Sequence, residues 1–149
     1  MTPERIAVDT SVAVPLLVAA HDHHANVAAW ARGRSLHLSG QALPETYSVL
    51  TRLPGDARLA PADAALLIDA NFGEALVLSA RAFQAVHSEL SRSGGAGGAT
   101  YDGLVALAAR EHNAVLATRD ARARSTYERL GVTVEVIPDA GVSPLGGSP

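Results

Sequence analysis

Along the chain, short apolar runs alternate with longer stretches in which apolar residues recur every third or fourth position. Residues 6–9 (IAVD) predict a strand that closes on an acid, and residues 11–20 predict a helix behind it. A second helix over 23–31 carries Val27 and Trp30 on one face, and residues 36–39 predict the second strand. Pro44 suits a first helical turn, so a helix starts there and runs through Glu45, Tyr47, Leu50 and Leu53 to the break at Pro54 and Gly55. Pro61 opens another helix in the same way, reaching Phe72 just ahead of Gly73. Residues 75–78 predict a strand, 79–90 a helix and 93–98 (SGGAGG) a flexible loop. Thr100 then caps a helix to about His112, with a strand at 114–117, a helix at 120–130 and a last strand at 132–136. Residues 138–149, rich in Pro, Gly and Ser, predict a flexible tail behind a single domain spanning 1–137.

Strands that alternate with helices build a parallel sheet with helices on both faces. Ligands of such sheets bind beyond the carboxyl ends of the strands. Asp9 closes the first strand at that edge. VLATRD, residues 115–120, repeats the pattern: an apolar strand, the hydroxyl of Thr118 and the carboxylate of Asp120. Two parallel strands ending on acids bring those acids near each other. Glu45 and Asp102 fall in first turns of helices that follow a strand or a glycine loop, so they can face the same edge. Each acid alone has a plainer account: Asp9 and Asp120 as helix caps, Glu45 and Asp102 as partners of a helix dipole. Four converging carboxylates would repel, and a divalent cation removes that conflict.

Composition narrows the chemistry further. With 149 residues, 48% hydrophobic and 18% charged, the chain suits one globular domain. At 4% aromatic its core must be built mainly from Ala, Val and Leu. No cysteine means no disulfide, thiolate metal site or cysteine nucleophile, which suits the cytoplasm. Hard oxygen ligands without paired histidines favour Mg²⁺ or Mn²⁺ over Zn²⁺, and Mg²⁺ commonly shares phosphate oxygens. The acids therefore point to phosphoryl chemistry. Asp9 and Pro15 interrupt the apolar N-terminal run, so neither a secretory signal nor a membrane span is expected there.

A net charge of −3 gives no global attraction to polyanions, so any polyanion binding has to come from local clusters. All 12 basic residues are arginine. Arg119, Arg122 and Arg124 follow the acid edge as candidate backbone contacts, with a solvated helix face as the alternative. The absence of lysine argues against a phosphoacceptor receiver domain. Ser11 stands where a haloacid-type phosphatase needs its second aspartate. The tract His21, Asp22, His23, His24 reads as a polar turn, since adjacent residues on a tight turn seldom converge on one ion. Trp30 and Tyr47 could stack on bases, although the spacing of Trp30 with Val27 suits a core position.

AVDTSV at residues 7–12, the lone Glu of LPETYSVL, YDGLVALAAREHNAVLATRD at 101–120 and YERLGV at 127–132 resemble the PIN-domain ribonucleases, specifically the VapC-like toxins of bacterial toxin and antitoxin pairs. The resemblance reaches to about Ile137. It implies a three-layer α/β/α fold around a mainly parallel sheet of four to five strands. On it, Asp9, Glu45, Asp102 and Asp120 match the catalytic acids, with Asp9, Asp102 and Asp120 as metal ligands. Thr118 matches the hydroxyl beside the site, and Thr10 lies where a supporting hydroxyl would. The implied activity is endoribonuclease cleavage with Mg²⁺ or Mn²⁺ on an RNA substrate, restrained by a cognate VapB-like antitoxin, in a protein that is usually a homodimer. A catalytically silent PIN-like module that binds RNA or protein is the alternative. Gly103 departs from the alanine that family members often carry, and is expected to loosen the first turn that holds Asp102.

Overall fold

In the computed structural model, which describes residues 4–139, four short strands form one parallel sheet in the order β2-β1-β3-β4. They are β1 (Ile6–Val8), β2 (Leu36–Leu38), β3 (Val115–Thr118) and β4 (Val134–Val136). Val8 sits opposite Leu38 on one side and Ala117 on the other. The chain passes outward from β1 to β2 and later outward from β3 to β4, in opposite directions. Right-handed crossovers then put the intervening helices on opposite faces and leave a switch point between β1 and β3. The first face carries α1 (Thr10–Leu17) and α2 (His24–Ala31) from the β1–β2 connection, joined by α3 (Ala42–Leu50) and α4 (Pro61–Asn71) from the chain after β2, with α1 packed on the other three. The second contains α6 (Val86–Ser93), α7 (Ala99–Glu111) and α8 (Ala121–Arg129), with α7 packed on both neighbours. The three-layer reading holds. Most of the predicted tail, residues 140–149, lies outside the described residues.

Small residues let the layers close. Ala106, Ala108 and Ala109 on α7 and Ala7 and Ala117 on the strands are buried, so α7 is apolar around most of its circumference and lies close to the sheet. Among the described residues no helix is long and apolar enough to cross a membrane.

Several boundaries differ from the sequence pattern. The predicted strand at 75–78 is reduced to one parallel bridge, Ser39 with Leu76. There Leu76 N donates to Leu38 O at 2.9 Å and Gly40 N to Leu76 O at 2.7 Å. The chain leaves the sheet at once because the Ser79 amide and hydroxyl both donate to the Glu111 carboxylate at 2.7 Å. The predicted helix over 79–90 breaks at Ala85 (φ −102°, ψ 6°) into α5 (Ala80–Gln84) and α6. The third helix begins at Ala42, before Pro44, because Ser39 O and Gly40 O accept from the Ala42 and Leu43 amides. Pro44 still falls where a missing N–H leaves no helical bond unmade. The first helix ends at Leu17, short of Ala20.

The turn from β2 into α3 decides where Glu45 stands, and Gly40 holds it. Its φ is +50°, and an added Cβ would lie 2.8 Å from the backbone oxygen of Leu104. Beside it Ser39 Oγ, fully buried, donates to Val105 O at 2.7 Å, which ties the start of α3 to α7. Gly40→Ala is expected to cost roughly 2–4 kcal/mol, from left-handed strain plus a collision with backbone. Chemical denaturation of the variant against the parent measures it.

Candidate active site

Asp9 follows β1 with an extended backbone (φ −94°, ψ −179°) at the cap position of α1, but its side chain does not cap the helix. Instead, buried to 5% exposure, the carboxylate receives three hydroxyl protons. Ser11 Oγ donates to Oδ1 at 2.6 Å, while Thr118 Oγ1 at 2.5 Å and Tyr127 Oη at 2.9 Å donate to Oδ2. Backbone amides fix the direction of two of these bonds. Arg119 N donates to Ser11 Oγ at 2.8 Å and Asp120 N to Thr118 Oγ1 at 3.0 Å. With a lone pair on each hydroxyl so occupied, the hydroxyl protons turn to Asp9. Three donated hydroxyl protons favour the ionised carboxylate. Burial pushes the Asp9 carboxyl above its usual range, against the pull of those hydrogen bonds. Tyr127, on α8, is held well above the ordinary phenol range by burial and then by the Asp9 charge.

The other acids converge on the same field. Asp102, in the first turn of α7, has its carboxyl raised by burial first, and then by the charges of Asp9, Asp120 and Glu45. Asp120 caps α8, accepting from Arg122 N at 2.9 Å through Oδ1. Its capping role and its place at the edge coexist, because a carboxylate has a second oxygen. Glu45, in the first turn of α3, lines with Asp102 an open groove of about 560 Å³. Among the described residues no three His, Asp or Glu side chains are gathered closely enough to cage an ion unaided. A set of hard oxygens of one sign fits an ion such as Mg²⁺, which binds through one or two carboxylates and keeps waters and phosphate oxygens in its remaining positions.

Thr10 opens α1, and the hydroxyl hydrogen bonds to Asp9 come from its neighbour Ser11, from Thr118 and from Tyr127. Arg119 is largely buried, with its guanidinium committed to Ser11 O at 3.5 Å and Asp139 at 3.1 Å. Pro15 explains the first contact: it has no N–H to offer the carbonyl four residues back, which is that of Ser11. Arg124 pairs with Glu128 at 2.7 Å, whereas Arg122 is 98% exposed with only a loose 3.8 Å approach to Asp120. The histidine tract is spent locally: His24 Nδ1 donates to Pro15 O at 2.9 Å and His23 N donates to His21 Nδ1 at 3.1 Å. Trp30 donates through Nε1 to Glu135 at 2.9 Å under the Arg34 guanidinium, and Tyr47 lines a separate apolar groove with Leu43 and Ile68.

Gly103 has a packing role in the structure. It is buried, and an added Cβ would come within 2.4 Å of Leu90 Cδ2, so the glycine admits a core leucine against the first turn of α7.

Ser11, Tyr127 and Tyr101 belong to the site without having been singled out for it. Ser11 has the signal of a hydroxyl two residues after an acid. Tyr127 lies on the inward stripe with Ala123, and a buried tyrosine needs a partner for its hydroxyl.

The PIN domain family model matches residues 6–129. The chain is 58% identical over 131 residues to Ribonuclease VapC27 of Mycobacterium tuberculosis, covering 88% of this chain and 96% of that protein. It is 45% identical over 133 residues to Ribonuclease VapC40 of the same species, covering 89% and 98%. A DNA-bound VapBC from Salmonella typhimurium superposes with a TM-score of 0.62 at 19% identity, over 91% of this chain and 99% of that one.

Proposed function

This chain belongs to the PIN-domain family, and on that premise we propose that it is an endoribonuclease toxin of the VapC kind. It cuts RNA phosphodiester bonds with Mg²⁺ or Mn²⁺ and is restrained by a cognate VapB-like antitoxin. The observation that carries the reading is the shared field of the four acids at the switch point of the sheet, where burial and the charges of Asp9, Asp120 and Glu45 raise the Asp102 carboxyl. An ion bound there would neutralise charge on the scissile phosphate and acidify a water.

The protein's own residues have separate tasks. Asp9, Asp102 and Asp120 would hold the ion, with waters and phosphate oxygens completing a set that the acids do not close unaided. Asp9 is kept ionised and aimed by Ser11, Thr118 and Tyr127. Glu45, across the groove from Asp102, takes or relays the proton of the attacking water. Arg122, free in solvent, contacts the RNA backbone. Dimerisation follows the habit of VapC-like toxins, and size-exclusion chromatography with light scattering tests it.

The direct test incubates purified protein with total cellular RNA in Mg²⁺, in Mn²⁺ and in EDTA. Discrete fragments should appear only with metal, and Glu45→Gln and Asp120→Asn should each lower the rate at least roughly a hundredfold. Fragments that persist in EDTA, or full activity in both variants, would remove the metal-nuclease reading. No cleavage under any metal would leave the silent binding module.

A further inference from the structure

The groove beside the acids has features that the cleavage chemistry does not use. One wall is a single face of α3 and the turn after it, where Gln41, Glu45, Ser48 and Arg52 recur at helical spacing. The other is the first turn of α7, with Tyr101 next to Asp102. The Tyr101 ring is 56% exposed and lies outside the hydrophobic core cluster. Arg110, Arg119 and Arg124 are paired with Glu89, Asp139 and Glu128. Arg52, by contrast, donates to the Ser48 hydroxyl at 3.3 Å and forms no ion pair among the described residues. An uncompensated guanidinium and a bare aromatic face thus line the same channel as two carboxylates.

We propose that this channel is a subsite for single-stranded RNA, in which Tyr101 stacks on the base beside the cut bond and Arg52 grips a neighbouring phosphate. The proposal rests on the nuclease reading and names how that site holds its substrate. A carboxylate-lined groove in a chain of net charge −3 repels a polyanion, so a strand needs a cation to enter it, and Arg52 is the guanidinium within the groove. It stands seven residues beyond Glu45, roughly 10 Å away at about 1.5 Å per helical residue, which separates the gripped phosphate from the cut one. An exposed ring can stack only on an unpaired base, so the substrate is a single strand or a loop. Every base has a π-face, so Tyr101 contributes affinity without reading sequence.

The test measures binding of a fluorescein-labelled 12-nucleotide single-stranded RNA of mixed sequence by anisotropy in Ca²⁺, with RNA integrity checked on a gel. Steady-state cleavage in Mg²⁺ runs alongside. Tyr101→Ala should raise Kd and KM about fivefold to a hundredfold with kcat little changed, and Tyr101→Phe and Tyr101→Trp should restore binding. Arg52→Ala should weaken binding and lower the slope of log K against log salt by about 1, while Arg52→Lys keeps most of that slope. Both side chains reach the groove surface, and thermal melts confirm that the variants fold. If the parent cleaves RNA while Tyr101→Ala binds as the parent does, the subsite is overturned and the nuclease stands. The exposed ring then belongs to a protein-binding face. If the parent neither binds nor cleaves RNA, both fall.

Discussion

Asp9→Asn is expected to abolish cleavage while leaving the fold intact, and Asp9→Ala to damage both. The carboxylate is the acceptor of three hydroxyl protons inside the protein. Asparagine keeps one acceptor oxygen for Thr118 and Tyr127 and offers its NH₂ to Ser11 Oγ. The Ser11 proton can turn to Thr118 Oγ1, 3.2 Å away, so every group retains a partner. What is lost is the charge. If holding the ion and shielding the phosphate supply several kcal/mol, the rate should fall by roughly three orders of magnitude, each tenfold being about 1.4 kcal/mol. Alanine removes the acceptor altogether. Ser11 and Thr118 can then bond each other, but the Tyr127 hydroxyl is stranded in the core, at a cost of about 1–3 kcal/mol. A cavity term adds to that, so the melting temperature should drop by roughly 5–15 °C. Circular dichroism melts and RNA cleavage of both variants separate the effects. Equal melting temperatures for alanine and parent would mean that the hydroxyl network contributes nothing to stability.

The layout of the site was legible from sequence where it depended on the period of apolar residues. Strands ending on Asp9 and at Thr118-Arg119-Asp120 had to share an edge once the sheet was parallel, and first-turn acids on α3 and α7 could be assigned to it. Local side-chain choices were not legible. Whether Asp9 capped its helix or faced the site depended on three hydroxyls, two of them more than 100 residues away in sequence. Gly103 shows the same limit: its helix propensity is readable from one position, and its contact with Leu90 is not. Arg119, Arg122 and Arg124 look alike in sequence, yet the missing N–H of Pro15 draws one of them inward. The lost strand at 75–78 reflects competition too, since Glu111 recruits Ser79 before a second pairing can form.

In EDTA, the protein is expected to become more stable as the pH falls from 7 toward the ordinary carboxylate range, and Mg²⁺ should abolish that trend. Asp102 carries the argument because its carboxyl is raised in the folded protein by burial and by three neighbouring charges. A raised folded value means that the folded state binds more protons than the unfolded chain at any pH between the two values. Stability there falls as pH rises, because the carboxyl ionises against its neighbours' charges in the folded protein. Asp9, raised by burial, acts in the same direction. Glu111, lowered by its bonds to Ser79, and His21, lowered by burial, act in the opposite one, so the comparison is made against Asp102→Asn, which leaves both unchanged. In EDTA at pH 7 that variant should melt above the parent, with a shallower dependence on pH. Mg²⁺ stabilises by mass action, about 2.7 kcal/mol at a hundred times its Kd. Protons compete with the ion for the Asp102 carboxylate, so its effect on the melting temperature should shrink as the solution is acidified. A parent whose stability in EDTA rises with pH, or an Asp102→Asn variant that gains as much from Mg²⁺ as the parent does, would show that the four carboxylates do not share an ion.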